Sequence, residues 1–393
     1  MDAPLAGLRV VELARILAGP WIGQTLSDLG ADVIKVESPE GDDTRKWGPP
    51  FVAREDGSPG DAAYYHACNR GKRSVVADYR SAADLEFVDR LISRADVVVE
   101  NFKTGGLEKY GLDYPTLSKK YPRLVYCSVT GFGQDGPYAE RAGYDAMIQA
   151  MGGIMDLTGD PGGDPQRTGV AFADIFTGVY GVIAIQAALA QRERTGRGQH
   201  VDMALMDVIV SVLANQALNY LVSGNVPRRL GNGHPNIVPY QTFPTRDGHV
   251  MIAVGNDAQY RKFCEVLGRP DLGDDPRFAT NAARVRERAV LVPELAALVR
   301  PWARDELLAR LEPLGVPAGP INTVADVFRD PQVLHRGMRV DLPASGIEGG
   351  SVPSVRSPFR FSDAELALRH ASPRLGEHTD EVRRELGLPP SAG

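Results

Sequence analysis

The 393-residue chain has only three cysteines, Cys68, Cys127 and Cys264, and their spacing fits neither a disulfide framework nor a C-x-x-C metal site. A reducing, cytoplasmic compartment is therefore expected. The opening stretch MDAPLAGLRVVELARILAGP has no basic segment followed by an uninterrupted apolar run, and no run of about 18 apolar residues occurs elsewhere, so neither export nor a membrane span is expected. Basic charge is not in excess: the formal net charge is −6, which argues against a general nucleic-acid or membrane-surface binder, since those need a basic face. Lysine is scarce, 8 of the 44 basic residues, a bias that fits a GC-rich source and carries no function. The seven histidines include no H-E-x-x-H or other paired-ligand spacing, so no metal is expected. What remains is ordinary globular composition, 43% hydrophobic and 24% charged with 42 Gly and 29 Pro, in a chain long enough for about two or three domains.

The first half alternates strand and helix signals. Short apolar runs at Leu8–Leu13, Val33–Val36, Asp96–Glu100 and Leu124–Val129 read as strands with helical patterns between them; Pro20 suits a helix's first turn and Gly30 its stop. Repeated βα units predict an α/β fold with a mainly parallel sheet, whose ligands sit at the carboxyl ends of the strands. The loops to watch are then Arg15–Pro20, Glu37–Arg45, Asn101–Gly106 and Thr130–Tyr138. Apolar helices are predicted over Thr177–Gln191 and Val201–Leu221, with the turn Thr195-Gly-Arg-Gly198 between them. Gly224–Pro239 reads as a linker. A strand at Gly248–Val254 and helices at Gln259–Leu267 and Leu291–Leu311 then suggest a smaller α+β unit, and Gly315–Pro320 a second connection. The expected layout is a large domain over 1–224, a small one over 225–325 and a return segment over 326–393 that packs on the large domain.

Several motifs carry chemistry. Gly131-Phe-Gly-Gln-Asp-Gly136 spells G-x-G-x-x-G after a predicted strand, but Pro137 and a further loop follow where a dinucleotide site needs a helix; glycines required for positive φ or close approach are the simpler reading. Asp174, within Gly169-Val-Ala-Phe-Ala-Asp-Ile-Phe-Thr-Gly178, is either an N-cap for the long apolar helix or a carboxylate nucleophile. Lys35, Arg45, Lys72, Arg73, Lys103 and Lys109 are either local phosphate-binding groups or scattered solvated charge. His234, in Gly231-Asn-Gly-His-Pro235, lies in a loop of functional character.

Taken in order, Leu17-Ala-Gly-Pro20, Gly30-Ala-Asp-Val-Ile-Lys-Val-Glu37, Gly41-Asp-Asp-Thr-Arg45, Asn69-Arg-Gly-Lys-Arg-Ser74, Glu100-Asn-Phe102, Gly169–Gly178, Thr195-Gly-Arg-Gly-Gln199 and Gly315–Pro320 resemble the class III CoA-transferase family, across nearly the whole chain. That family also contains formyl-CoA transferase, carnitine CoA-transferase and the α-methylacyl-CoA racemases. The resemblance implies a Rossmann-like large domain, an inserted small domain, an interlocked-ring homodimer, and CoA thioesters as substrates with no tightly bound cofactor. It implies that Asp174 attacks the donor thioester to give an aspartyl anhydride and then an aspartyl-CoA thioester, with the N–H of Gly255 as the candidate oxyanion donor. It places CoA's nucleotide on Ala77, Asp78, Tyr79 and Arg80, on Asn101, Phe102 and Lys103, and on Lys109, and the pantetheine along Ala142, Gly143, Tyr144 and Asp145. An arginine of formyl-CoA transferase is Ser38 here, so Arg45 is the candidate substitute in the phosphate grip. Leu17, followed by Ala18, stands where formyl-CoA transferase has a glutamine near its small acyl group, which speaks against formate and oxalate.

Position 144 separates the enzyme branches, because the racemases carry a histidine acid/base there. Tyr144, with a reference pKa of about 10, is a poor proton shuttle at neutral pH, which favours transfer over racemisation. Arg45-Lys-Trp-Gly-Pro-Pro-Phe51, Arg141-Ala-Gly-Tyr-Asp145 and Val238-Pro-Tyr-Gln-Thr-Phe243 are similar to the succinyl-CoA:glutarate and related dicarboxylate branch, which implies a small carboxylic, dicarboxylic acceptor that an arginine could clamp. A racemase or epimerase of 2-methylacyl-CoA, and a CoA-binding protein in which Asp174 is only a cap, are the alternatives.

Overall fold

The computed structural model describes residues 2–391. The chain divides into two compact units. Among the described residues, one comprises 2–154, 168–218 and 332–391, and the other 155–167 and 219–331.

The first unit is built on six strands, β1 (Arg9–Glu12), β2 (Asp32–Glu37), β3 (Arg73–Val76), β4 (Val97–Glu100), β5 (Val125–Thr130) and β6 (His200–Ala204). They lie in the order β3-β2-β1-β4-β5-β6, with every neighbouring pair parallel. The resulting fold is mixed α/β with a parallel central sheet, in the strand order of doubly wound nucleotide-binding proteins. The strands read as continuous apolar runs because both faces are covered. Val10, Val33, Val97, Val99 and Val125 face one core with helices α1 (Ala18–Asp28) and the long helix α5 (Phe172–Thr195). Val11, Ile34, Val75, Val98 and Tyr126 face a second core with α2 (Ala82–Ile92), α3 (Tyr114–Lys120) and α10 (Thr379–Glu385). Helix α10 brings the C-terminal segment against the second core through Val382 and Leu386.

Helix α5 has 24 residues and a mean hydropathy of 1.6 over its most apolar window, long and apolar enough by length and composition to cross a membrane. Its buried stripe, Ala173, Val182, Ile185 and Ala188, packs on the sheet core. The helix is longer than the predicted Thr177–Gln191 because it begins five residues earlier, ahead of Asp174.

Val201–Leu221, predicted as one helix, is different. His200–Ala204 pairs with Tyr126–Thr130 as the edge strand β6, and the helical residues follow as α6 (Leu205–Val212) and a second helix, Ala214–Ser223, beyond a break at Ala214, whose φ is +47°. The apolar run misled because a strand covered on one face and a buried helix carry similar residues.

The second unit is α+β. Strands β7 (Tyr240–Thr245), β8 (Gly248–Ala253) and β9 (Ala318–Pro320) form an antiparallel sheet in the order β9-β8-β7. Its core gathers Phe243, Val250 and Ile252 with Tyr260 and Phe263 of α7 (Asp257–Val266), Leu295 of α8 (Arg288–Val299) and Leu307 of α9 (Arg304–Leu311). The predicted helix Leu291–Leu311 is thus two, broken at Arg300–Ala303, and the tail of the Gly315–Pro320 connection is an edge strand. Residues 155–167, placed in the first domain from sequence, cluster with this unit instead. Gly231 N–H donates to Gly159 O, and Arg229 pairs with Asp156 at 2.9 Å. The unit limits at 218/219 and 331/332 replace the expected 225 and 325.

Candidate active site

The first unit has a cavity of about 330 Å³ at the carboxyl ends of β1–β4, on the side of the sheet where the strand order reverses. Leu13–Arg15 follow β1, Ser38–Asp42 follow β2 and its last residue Glu37, Ala77–Arg80 follow β3 and Phe102 follows β4, so four successive loops line one hollow. Tyr79 lies edge-on to Tyr110 at 5.4 Å and tilted to Phe102 at 6.2 Å, an aromatic wall of the kind a purine would lie against. Arg15 and Arg80 stand at the rim, 62% and 79% exposed, paired with Asp43 and Asp78.

Of the residues expected at a nucleotide, Ala77, Asp78, Tyr79, Arg80 and Phe102 line this cavity. Asn101 does not; its side-chain amide brackets Arg15, accepting from its N–H at 3.0 Å and donating to its carbonyl at 2.7 Å. Lys103 and Lys109 are exposed beside it, with Lys109 Nζ 4.7 Å from the Tyr110 ring centre. Leu17 and Ala18 are buried at the start of α1. Arg15 and Tyr110, not singled out from the sequence, belong to the same hollow. The position of Arg15 just after the β1 run was the available signal.

Most of the expected basic cluster is committed to the interior. Arg45 is buried and forked onto Glu37, with Nε–Oε2 at 2.9 Å and Nη2–Oε1 at 2.7 Å, and it meets Asp61 at 2.6 Å. It is therefore not a substitute phosphate grip: a guanidinium satisfied by two carboxylates and the Pro373 carbonyl has no donor facing the cavity. Burial opposes charge on Glu37, yet the Arg45 hydrogen bonds and the Lys35 charge hold its carboxyl below the usual range. Lys35 and Lys72 are fully buried on Glu12, at 3.1 and 2.8 Å, and Arg73 pairs with Asp32 and Glu385.

This buried network holds a strained turn. Ile16 has φ +74°, a region that β-branched residues avoid, and its N–H is accepted by both Asp42 oxygens at 3.2 and 3.3 Å. Asp42 in turn is paired with Lys35 at 2.9 Å. The turn aims the start of α1 at the carboxyl end of the sheet.

Asp174 reaches that same end. A Cβ on Gly178 would lie 3.1 Å from Ala18 O and one on Gly181 2.5 Å from Ile22, so α5 runs closely parallel to α1. Asp174, one turn before Gly178, therefore projects beyond the start of α1. It is not the N-cap. Ala171 occupies that position, and the free N–H groups of the first turn go to another acid, Asp145, whose Oδ2 accepts from Ala173 at 2.8 Å and from Asp174 at 3.3 Å. Among the described residues no donor reaches the Asp174 carboxylate. Burial, and then the Asp145 charge, push its carboxyl up to about 7. Tyr64, absent from the sequence reading, is beside it: burial and the charge on Asp174 raise its phenol to about 12, and its ring meets Trp47 edge-on at 5.4 Å.

Asp145 opens α4 (Asp145–Met151), and the loop before it is closed by two glycines. A Cβ on Gly131 would lie 2.5 Å from Gly143 Cα. The sequence G-x-G-x-x-G is thus a loop made for close backbone approach, with Gly133 and Gly136 at φ +90° and +84° and no helix following. Tyr144 is 64% exposed and Ala142 exposed, Gly143 packs on Gly131, and Asp145 is the helix cap rather than a solvent-facing contact.

In the second unit, Gly255 precedes the Asn256 cap of α7 and its N–H donates to Gln259 Oε1 at 2.8 Å. The expected oxyanion donor is therefore already engaged. His234 is held by its own loop, its Nδ1 accepting from Asn236 N at 3.0 Å and its ring tilted on Tyr240. Among the described residues no group of three or more His, Cys, Asp or Glu is placed to hold a metal.

Comparison with known proteins places these features in a group. A family model described as CoA-transferase family III matches residues 5–379. The succinate–glutarate CoA-transferase of Agrobacterium fabrum is 56% identical over 384 residues, covering 98% of this chain and 96% of its own. The succinyl-CoA:glutarate CoA-transferase of Homo sapiens is 40% identical over 384 residues, covering 98% and 86%. A solved structure of a CAIB/BAIF family protein from Brucella suis superposes with a TM-score of 0.87 at 63% identity, covering 98% of this chain and all of that one.

Proposed function

Because the chain belongs to CoA-transferase family III, we propose that it moves CoA from succinyl-CoA or a similar donor to a second dicarboxylic acid, glutarate being the leading acceptor. The observation that carries the chemistry is Asp174: a half-buried carboxylate without a neutralising partner, at the open end of a sheet whose loops form a nucleotide-sized hollow.

Asp174 has the properties of a carboxylate nucleophile. Its oxygen attacks the thioester carbonyl, the C–S bond breaks, and CoA leaves as the thiolate, giving a mixed aspartyl anhydride. The thiolate attacks the aspartyl carbonyl, expels the donor acid as carboxylate and forms an aspartyl-CoA thioester. The acceptor carboxylate then repeats the first step on that thioester, and returning thiolate takes the new acyl group, restoring Asp174. A desolvated carboxylate is a better nucleophile than a solvated one, and the backbone N–H groups retained by Asp145 keep the helix end from quenching it. The hollow lined by Tyr79, Phe102, Tyr110, Arg15 and Arg80 is the site for the nucleotide half of CoA. Tyr144, where a racemase would need a second acid/base, remains an exposed phenol, consistent with transfer.

Homodimerisation belongs to the same proposal. Val179, Tyr180 and Ile183 of α5 and Val210 of α6 are 40–57% exposed on the first unit, an apolar face suited to a second copy.

Incubation with succinyl-CoA and a panel of free dicarboxylates should yield new CoA thioesters, with hydroxylamine trapping the acyl group on Asp174. Asp174→Ala should abolish both; exchange that survives the substitution overturns the assignment.

A further inference from the structure

Gln149 is fully buried on α4, one turn after Asp145, and both ends of its amide are hydrogen-bonded. Nε2 donates to Asp145 Oδ1 at 2.7 Å and lies 3.4 Å from the carbonyl of Val170. Oε1 accepts from Thr168 N at 3.0 Å and lies 3.2 Å from the Thr168 hydroxyl. The partners fix the orientation of the amide. A carboxylate and a carbonyl only accept, and a backbone N–H only donates, so a flipped amide would set oxygen against oxygen and N–H against N–H.

The second oxygen of Asp145 holds Ala173 N and Asp174 N. One unbroken chain therefore runs from the segment of residues 168–170 through Gln149 and Asp145 to the backbone of Asp174. We infer that Gln149 is a positioning residue for the transfer reaction: it fixes the rotation of the Asp145 carboxylate that caps α5 and ties the segment entering that helix to the same point, setting the aim of the Asp174 carboxylate. The inference rests on Asp174 being the nucleophile. Gln149 touches no reacting atom; its contribution is the placement of the first turn, and a displacement of about 1 Å at a reacting group costs about 10²-fold in rate.

Only an amide, or a protonated carboxylic acid of the same shape, supplies a donor to Asp145 and an acceptor to Thr168 at once. Gln149→Glu therefore restores the pattern when the introduced carboxyl is protonated and breaks it when that carboxyl is ionised, with like charges facing Asp145 on its own helix and Asp174 on α5. Helix α6 meets the neighbouring turn at Gly152 through the apolar Ile209.

The test compares wild type, Gln149→Leu and Gln149→Glu as full-length protein. For Gln149→Leu, kcat should fall about 10²-fold with the dissociation constant for succinyl-CoA unchanged. For Gln149→Glu, the ratio of variant to wild-type kcat should fall as pH rises, a signature that a simple loss of packing would not give. Independently of activity, amide hydrogen exchange of the peptide spanning residues 168–176 should quicken in Gln149→Leu, with the β-sheet peptides unchanged. Wild-type kcat in both variants, a flat pH ratio, or unaltered exchange over 168–176 overturns the inference. Absence of exchange activity in the wild type itself would overturn the functional reading and with it the catalytic part of this inference, and the hydrogen-exchange result would still decide whether Gln149 holds the first turn of α5. If Gln149→Leu does not fold, Gln149→Glu at low pH carries the test.

Discussion

Asp145 caps the helix that carries Asp174, its Oδ2 taking the N–H groups of Ala173 and Asp174 at 2.8 and 3.3 Å. Two acids one helical turn's reach apart thus divide two tasks that the sequence allowed a single residue to perform: one satisfies the helix terminus, and the other keeps its oxygens for chemistry.

Replacing Asp145 separates these contributions. Asp145→Ala removes the cap and should destabilise the protein by about 0.5–2 kcal/mol in chemical denaturation. Asp145→Asn keeps one oxygen for the helix, removes the charge that helps raise Asp174 and turns its amide nitrogen toward the Gln149 Nε2 donor. The acid limb of the kcat/KM profile for succinyl-CoA should then move to lower pH, with a stability loss of about 1–3 kcal/mol from the Gln149 donor left facing an amide nitrogen. An acid limb that stays in place would show that burial alone sets the Asp174 titration.

Asp174 should also leave a mark on stability. Its folded-state carboxyl titrates near 7, against an ordinary value of 3.8. Between those values the folded protein holds a proton that the unfolded chain has released, so stability falls as pH rises from about 4 to about 7. Asp174→Asn removes that dependence. The variant should be inactive and more stable than wild type at pH 8, by about 1–3 kcal/mol, with the difference shrinking toward pH 4. Equal melting temperatures at pH 8 would contradict the raised titration.

Arg45 and Arg80 should behave oppositely although both are arginines in loops after sheet strands. Arg45→Met leaves the buried Glu37 without its fork and should cost about 3–5 kcal/mol of stability. Glu37 is held below the usual range, so its contribution is present above the ordinary value of 4.5 and lost as pH falls through the depressed one; the stability gap between wild type and variant should be full at neutral pH and narrow as pH falls below about 4.5. Arg80→Ala, at the rim of the hollow, should change stability by less than about 0.5 kcal/mol and raise KM for succinyl-CoA, more at low salt than at high. A raised KM in a fully stable Arg45→Met would return Arg45 to the phosphate site.

How far these roles were legible depends on what fixes each one. The β1, β2, β4 and β5 runs and the loops after them could be read because two-sided burial writes itself as continuous Val and Ile, whereas β3, Arg73–Val76, was missed because only its last two residues are apolar. Strand β6 was hidden because its short run, Val201 to Ala204, passes without a break into the apolar residues of α6. Asp174 was legible through its motif, but the cap was not: Asp145 lies 29 residues earlier, and only the folded loop brings it to the helix end. Likewise the charge of Lys35, Arg45 and Lys72 is visible in sequence, whereas their burial on Glu12 and Glu37 is a property of strand register.

The glycine pair Gly131 and Gly143 provides the last test, because it connects a sequence pattern to the placement of the cap. The loop leaves β5 at Thr130 and returns at Gly143, where the two glycine backbones meet; α4 then begins with Asp145, just beyond Tyr144. A methyl group on Gly131 would sit 2.5 Å from Gly143 Cα, and neither backbone can give way without moving the other. Gly131 itself does not need positive φ, so the cost of Gly131→Ala is steric and falls on the approach. The substitution should separate the loop ends, displace Tyr144 and Asp145, and loosen the cap on α5. The expected result is a loss of at least about 1–3 kcal/mol of stability and a kcat for CoA exchange reduced about tenfold or more. Gly136→Ala in the same loop, where no atom lies within 4 Å of the added carbon, should cost only the φ +84° conformation, about 1–2 kcal/mol, and leave kcat near wild type. If the two variants lose activity equally, the close approach of Gly131 and Gly143 is not what positions the cap.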